Sequence, residues 1–193
     1  MTFDIRLGVT PQDRTRVAHL FWQAFEPKLA PVFGTRAKGV LFIAPNLNSN
    51  AAFCAFDGQE LVGVVGFRTA EAGFLQGGFR QMRAVFGLTG GLWRSALLEV
   101  YGQPVGPQEV LIDGVFVDTP WQGRRIGTRL LHALSDHAIG LGKTDLVLDV
   151  VAENTRAVAL YQREGFAIAY TKKLGLRRWL FKATAVHRMT KTL

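Results

Sequence analysis

Residues 115–131, VFVDTPWQGRRIGTRLL, combine an apolar strand, a glycine-containing turn and the start of a helix. The first amide groups of a helix have no partner within it, and the helix dipole adds a partial positive charge there. Gly123 and Gly127 let the backbone come close to a bulky ligand. Three arginines accompany this turn: Arg124, Arg125 and Arg129. The stretch therefore predicts a site for a phosphate-bearing anion. The simpler alternative is an ordinary helix start, in which the glycines serve packing and the arginines are solvated.

A second informative stretch, LDVVAENTRAVALYQREGF, covers residues 148–166. It predicts the end of a central, nearly all-apolar strand and then a helix over 154–164 that is closed by Gly165. Asp149 interrupts the apolar strand, and a carboxylate at such a position is unusual unless it is paired or functional. Tyr161 falls on the buried face of the helix, where a tyrosine is either a core aromatic or a functional phenol.

Together the two stretches resemble the GNAT superfamily of N-acetyltransferases. The acetyl-coenzyme A loop of that family has the pattern Gln/Arg-x-x-Gly-x-Gly/Ala, and residues 122–127, QGRRIG, fill it with Arg125 in place of the first glycine. If that position requires a positive φ, a residue other than glycine costs about 1–2 kcal/mol. The resemblance spans Val110 to Phe166. It implies an α/β fold with a mixed, mostly antiparallel sheet, flanked by helices, in which strands 4 and 5 splay apart.

The resemblance also implies the roles of individual residues. The backbone of Val115, Phe116 and Val117 would pair with the pantetheine arm of acetyl-coenzyme A, and one of these N–H groups would hold the thioester oxygen. Asn154 would lie near the same arm, and Tyr161 would be the general acid for the leaving thiolate. The loop that would bind the diphosphate consists of Gln122, Gly123, Arg124, Arg125, Ile126, Gly127 and Thr128. With pKa values of about 10 for a phenol and about 8.5 for a thiol, the proton transfer is uphill by about 2 kcal/mol.

The general base has three candidates. Asp149 stands five residues before Asn154, which matches the base position in family members that acetylate protein N-termini. A normal aspartate that takes a proton directly from a lysine-like ammonium faces about 9 kcal/mol, so a water relay or simple binding of the ammonium is easier. Asp113 is the neighbouring alternative on strand 4, where histone-type members carry a glutamate at the position of Leu111, and a structural salt bridge would explain it equally well.

The N-terminal part of the sequence predicts the elements that precede these stretches. Alternation over residues 3–9 predicts a half-buried strand. Helical spacing then predicts a helix that begins at Thr10-Pro11 and runs to about Glu26, where Pro27 stops it. Asp57-Gly58 between two apolar runs predicts a β-hairpin with a tight turn.

The length and composition predict one folded domain over residues 1–193, since 48% of the residues are hydrophobic and can form a core. The apolar and basic stretch 72–108 predicts one or two short helices inserted between strands. After the second informative stretch, the chain is expected to end in a strand pair. Cys54 is the only cysteine and no signal peptide is visible, so we expect a cytoplasmic protein.

The net charge of +8 is concentrated at the C-terminal end, where residues 170–193 contain seven lysines and arginines and no acidic residue. Residues 172–182, KKLGLRRWLFK, predict weak contact with an anionic surface, and a merely solubilising face is the alternative. Nucleic acid is not required as a partner. The four histidines are scattered, so no metal site is predicted. Many members of the resembled family dimerise, which leaves a homodimer open.

The function expected from the resemblance is an acetyl-coenzyme A-dependent N-acetyltransferase. It would move an acetyl group to the primary amine of a small-molecule or peptide acceptor by direct attack on the thioester. The alternative is a non-catalytic module on the same fold, which binds coenzyme A as an effector or binds a membrane or nucleic-acid surface.

Overall fold

The computed structural model describes residues 3–87, 91, 104–175 and 183–193. Within the described residues, the N-terminal half contributes three strands and three helices. The strands and helices there are β1 (Asp4–Leu7), α1 (Arg14–Phe33), α2 (Arg36–Asn46), β2 (Ala52–Asp57), β3 (Glu60–Arg68) and a helix over residues 79–87, here α3. The elements that follow are β4 (Glu109–Val117), a 3₁₀ turn (Thr119–Trp121), α4 (Ile126–Gly140), β5 (Asp145–Val151), α5 (Thr155–Arg163), β6 (Ala167–Lys173) and β7 (Ala185–Thr192).

The seven strands form one sheet in the order β1-β2-β3-β4-β5-β7-β6. Every neighbouring pair is antiparallel except β4 and β5, which are parallel. The expected class, a mixed and mostly antiparallel sheet flanked by helices, is confirmed. The predicted hairpin turn is also present, with Gly58 at a φ of 59°.

A β-bulge in β4 lies where β4 and β5 part. Gly66 of β3 pairs with Gly114, but the next β3 residue pairs with Ile112, so Asp113 is an extra residue on β4. The parallel pairing with β5 ends at Ile112 and Leu148, although both strands continue. A bulge bends its strand and increases its twist, which accounts for the divergence. Strands 4 and 5 are therefore splayed, as the resemblance implies.

The sheet separates two apolar cores. The first core packs α1 and α2 against one face, and it contains Phe116 of β4 together with Val64 of β3. The second core packs α4 and α5 against the other face, with Leu148 and Val150 of β5 inside it. Successive strand residues point to opposite faces. Each side of the β4–β5 split is thus lined by a different set of helices.

Helix α1 corrects the expected helix at both ends. It begins at Arg14 rather than at Thr10-Pro11, and it continues through Pro27 to Phe33. A proline inside a helix costs about 3 kcal/mol. The residues beyond Pro27 include Leu29, Val32 and Phe33, which are buried in the first core, and each such burial contributes about 1.5–3 kcal/mol. Their combined burial outweighs the cost of the proline.

The predicted insert 72–108 is described in part. Residues 79–87 are helical and residues 88–90 and 92–103 lie outside the described residues. Phe74 and Met82 are buried in the first core, so the described part covers that core. In the basic stretch 172–182, residues 176–182 likewise lie outside the described residues. Among the described helices, none is long and apolar enough to cross a membrane.

Candidate active site

Two residues of the turn before α4 have a positive φ. Gly123 has a φ of 81° and Arg125 a φ of 60° with a ψ of 16°, which is the left-handed region. Arg125 is the one residue other than glycine with a positive φ in the described parts of the chain. The strain foreseen for Arg125 is therefore present, at about 1–2 kcal/mol. Ile126, which is buried, holds the start of the helix against the second core.

The first turn of α4 presents backbone N–H groups next to this exposed loop. The amide of Arg129 donates to the carbonyl of Arg125 at 3.1 Å, so residues 126–128 precede the first bond of the helical ladder. Aromatic rings hold two of the arginines near the turn. The guanidinium of Arg124 lies 4.7 Å from the centre of the Trp121 ring, and that of Arg129 lies 5.9 Å from the Phe3 ring. Unpaired amides, a helix dipole and fixed arginines favour an anion here.

Gln122 connects the loop to its two neighbours. Its Nε2 donates to the carbonyl oxygen of Val117 at 3.1 Å, at the end of β4. Its Oε1 accepts from Nη1 of Arg156 on α5 at 3.2 Å. The side chain predicted to bind the diphosphate thus also fixes the loop between β4 and α5.

Thr128 takes part in a cluster that links α4 with the end of α5. Its hydroxyl donates to Oε1 of Glu164 at 2.7 Å. The other oxygen of Glu164 lies 2.9 Å from Nε2 of His132, one turn further along α4. Because the hydroxyl proton of Thr128 is donated to Glu164, the backbone amide of Thr128 is the group left to contact an anion.

Beyond the bulge, none of the described strands lies along the second edge of β4. Val115, Phe116 and Val117 pair with β3 on one side, while the pairing with β5 has already ended at Ile112. Backbone groups on the open edge of a strand are available to pair with an extended ligand. These are the three residues predicted to bind the pantetheine arm.

Tyr161 and Asn154 lie at the two ends of α5. Tyr161 is buried in the second core, with its ring centre 5.7 Å from that of Phe166. Burial raises the pKa of Tyr161 to about 12, which keeps the phenol protonated at neutral pH. Asn154 caps the helix, since its Oδ1 accepts from the amide of Ala157 at 3.2 Å. The cap explains this asparagine structurally and leaves its side-chain NH₂ for other contacts.

Asp149 is the first residue of β5 after its last pair with β4. Leu148 and Val150 face the second core, so Asp149 points to the α1 side of the sheet, opposite to Tyr161. Arg188, directly across on β7, donates from Nη1 to Oδ2 of Asp149 at 2.9 Å. The expectation that this carboxylate is paired or functional is met by a guanidinium partner at the edge of the split.

Asp113, the bulged residue, is paired as well. Its Oδ1 accepts from Nε and Nη2 of Arg68 at 2.8 and 2.6 Å. Burial raises the pKa of Asp113, and the charge and hydrogen bond of Arg68 oppose that shift. Its Oδ2 is buried and makes no hydrogen bond with a described residue. Asp113 is thus enclosed beside β3 rather than open to the split.

Three residues of the site region have no signal of their own in the sequence: Arg188, Arg68 and Glu164. Each lies between 36 and 45 positions from its partner along the chain. Their pairing depends on strand register and helix packing, which no local motif reports. The one available signal was the carboxylate of Asp149 in an apolar strand. It predicts a cationic partner but does not indicate which residue that partner is.

Comparison with known proteins finds related sequences and structures. The family model for the acetyltransferase (GNAT) family matches residues 15–166. The chain is similar to the N-alpha-acetyltransferase RimI of Mycobacterium tuberculosis, with 36% identity over 84 residues; the match covers 44% of this chain and 48% of that protein, so the chain spans about half the length of this curated relative.

Solved structures share this fold. One acetyltransferase crystal structure has a TM-score of 0.66 at 21% identity and covers 98% of both chains. The PaiA N-acetyltransferase of Thermoplasma acidophilum, solved with coenzyme A, has a TM-score of 0.61 at 14% identity and covers 100% of both chains. With a family model that matches most of its length, this chain belongs to the GNAT family of acetyltransferases.

Proposed function

We propose that this protein is an N-acetyltransferase that uses acetyl-coenzyme A and acetylates the primary amine of a small-molecule or peptide acceptor. The observation that carries the proposal is the split between β4 and β5, which opens beside the first turn of α4. An anion site next to an open strand edge suits a ligand with a diphosphate and an extended amide-containing arm.

The donor would be held mainly by the backbone. The amides of residues 126–128 and the left-handed turn at Gly123 and Arg125 would bind the diphosphate, with Arg124 adding charge. The open edge of β4 at Val115–Val117 would pair with the arm, and one N–H there would stabilise the oxyanion that forms when an amine adds to the thioester. No metal is needed for this chemistry.

Tyr161 would supply the proton for the leaving thiolate. With a pKa of about 12 against about 8.5 for a thiol, the transfer is uphill by about 5 kcal/mol for an ordinary thiol. A thiolate in the same apolar surroundings is also more basic than usual, which reduces that difference. Tyr161 is therefore suited to donate as the carbon–sulfur bond breaks rather than before.

Asp149 would receive the acceptor amine on the opposite face of the sheet. Its Oδ2 is fixed by Arg188, and its Oδ1 would bind the ammonium and accept a proton, directly or through a water. Asp113 is the weaker candidate, because Arg68 holds one of its oxygens and the other is buried. With the base and the acid on opposite faces of the split, Asp149 could take the proton of the attacking amine while Tyr161 gives one to the leaving thiolate of the same tetrahedral intermediate.

The test is release of free thiol from acetyl-coenzyme A with a panel of amines. The Tyr161→Phe variant should lower kcat by about 10²–10⁴-fold, the usual contribution of a general acid, while calorimetry shows coenzyme A affinity within a factor of about two. Thiol release that is unaffected by this substitution would remove Tyr161 as the acid. Binding of coenzyme A without turnover of any amine would instead favour the non-catalytic module.

A further inference from the structure

The Asp149–Arg188 pair lies where the pairing of β4 with β5 ends, and the guanidinium has hydrogen-bond donors that the described residues do not use. We propose that Arg188 selects acceptors in which the amine-bearing carbon is bonded to a carbonyl or carboxylate carbon, as in an α-amino acid or a peptide N-terminus. This inference rests on the proposed function. Asp149 would bind the ammonium, and Arg188 would donate to the neighbouring oxygen.

Burial of the Arg188 guanidinium carries a desolvation cost. The residue is only 9% exposed, and a guanidinium taken out of water must be compensated by hydrogen bonds. Its Nη1 donates to Asp149, and its other N–H groups make no hydrogen bond with any described residue. A guanidinium has five N–H donors in a planar fork, so most of its capacity remains open.

The unused donors face accessible space rather than a sealed interior. Within the described parts of the chain, the buried side-chain nitrogen and oxygen atoms without a partner are Trp22 Nε1 and Asp113 Oδ2, and no atom of Arg188 is among them. Arg188 alternates with Met189, which faces the second core, so the guanidinium lies on the α1 side with Asp149. The free donors therefore border the region where the acceptor would enter.

The charges of this pair are complementary to one class of amine. The carboxylate of Asp149 would face the ammonium of the acceptor, and the guanidinium of Arg188 would face the neighbouring carbonyl or carboxylate oxygen. A lysine side chain or a polyamine would satisfy Asp149 and leave the fork of Arg188 unpaired after water is expelled. A site built to bond a substrate oxygen discriminates strongly against the analogue that lacks it.

The experiment compares alaninamide, alanine and isopropylamine as acceptors in wild type, Arg188→Met and Arg188→Lys. The measured quantity is the ratio of kcat/KM for alaninamide to that for isopropylamine. The basicity of the two amines cancels when this ratio is compared between variants. Loss of Arg188 should lower the ratio about tenfold or more, the size expected for a hydrogen bond to a charged group. Arg188→Lys keeps the charge beside Asp149 and should give an intermediate ratio.

The controls separate selection from folding and from failure of the proposed function. Arg6→Met removes a guanidinium of the Arg6–Asp4 pair at the opposite edge of the sheet and should leave the ratio unchanged. Coenzyme A affinity should be retained in all variants. A preference for alanine would identify the oxygen as a carboxylate, and a preference for alaninamide would identify it as a peptide-like carbonyl.

Two results would overturn the inference. If wild type acetylates all three amines and both Arg188→Met and Arg188→Lys keep the wild-type ratio, Arg188 does not select the acceptor, while the proposed function stands. If wild type binds coenzyme A but acetylates no amine in a broad panel, the proposed function fails and the inference fails with it.

Discussion

Arg125 combines two opposing contributions at one position. Its left-handed backbone is strained, while its charge lies beside the proposed diphosphate site. Arg125→Gly should relieve about 1–2 kcal/mol of strain and lose about 0.5–1 kcal/mol through the greater freedom of the unfolded chain. The unfolding free energy should thus rise by up to about 1.5 kcal/mol, measured by urea denaturation, and coenzyme A should bind more weakly, measured by calorimetry.

Arg125→Asn separates the two contributions. Asparagine tolerates the left-handed region but carries no charge, so this variant should lose coenzyme A affinity as Arg125→Gly does. Unchanged affinity in both variants would show that the arginine charge does not act on the ligand.

Tyr161 should make stability depend on pH in the alkaline range. The folded protein keeps the Tyr161 proton up to a pKa of about 12, whereas the unfolded chain loses it near 10. The folded state then binds more protons, so the contribution is complete below pH 10 and is lost as the pH rises through 12. Wild type should lose up to about 3 kcal/mol more than Tyr161→Phe between pH 9 and 12, measured by urea denaturation. Equal losses in the two proteins would contradict the burial of the phenol.

Strand β4 depends on a glycine at its bulge. A Cβ added to Gly114 would overlap Cζ of Phe25, which packs over the strand from α1. Gly114→Ala should therefore destabilise the protein by about 1–3 kcal/mol through overpacking, as a lower midpoint in thermal unfolding. At Gly140, the last residue of α4, an added Cβ meets nothing within 4 Å. Gly140→Ala should leave stability unchanged or raise it, by up to about 1 kcal/mol, and a loss equal to that of Gly114→Ala would contradict the explanation.

The cluster of Thr128, Glu164 and His132 should couple α4 to α5 energetically. In a double-mutant cycle, Thr128→Val and Glu164→Ala should show a coupling of about 1–2 kcal/mol in unfolding free energy, since a hydroxyl donates to a carboxylate there. The matched control pairs Thr128→Val with Glu153→Ala, because Glu153 bonds to Thr184 instead. That pair should be additive within about 0.5 kcal/mol. Similar coupling in both cycles would mean that it arises elsewhere.

Elements with a local signal could be predicted from the sequence, and those that depend on packing could not. The Asp57-Gly58 hairpin and the glycine turn before α4 follow from backbone conformations that few residues adopt, so their sequences reveal them. The prediction that α1 ends at Pro27 was wrong, because burial of the residues beyond it contributes more free energy than a proline inside a helix costs. The bulge at Asp113 and the partner of Asp149 depend on strand register, which becomes visible only when the sheet is assembled.

At the scale of the whole molecule, the net charge of +8 should strengthen the binding of an anionic donor at low ionic strength. Coenzyme A affinity should fall several-fold as salt is raised, because exposed charges are screened beyond about 10 Å at 0.1 M salt. Calorimetry at several salt concentrations measures this, and Arg124→Gln should reduce the dependence. Affinity that is independent of salt would assign binding to backbone contacts alone.

The basic stretch 172–182 stays a prediction at the same scale. Lys172 and Lys173, on β6, are exposed, and the sequence continues with further basic and aromatic residues. Sedimentation with vesicles that contain anionic lipid should show binding at low salt that is lost at high salt. Vesicles without anionic lipid are the control, and no binding at low salt would exclude the surface contact.

The two cores on opposite sides of the sheet have a consequence for how such a protein can change over generations. Substitutions in separate packing clusters add nearly independently, so the side that would receive the donor and the side that would receive the acceptor share few constraints. Residues of α2 and of the α1-facing side of β7 can be replaced while the diphosphate turn stays intact, whereas Arg16 and Gln23 of α1 bond to Asp118 and Thr119 just before that turn. One ancestral donor pocket can thus be inherited unaltered by descendants that acquire new acceptors.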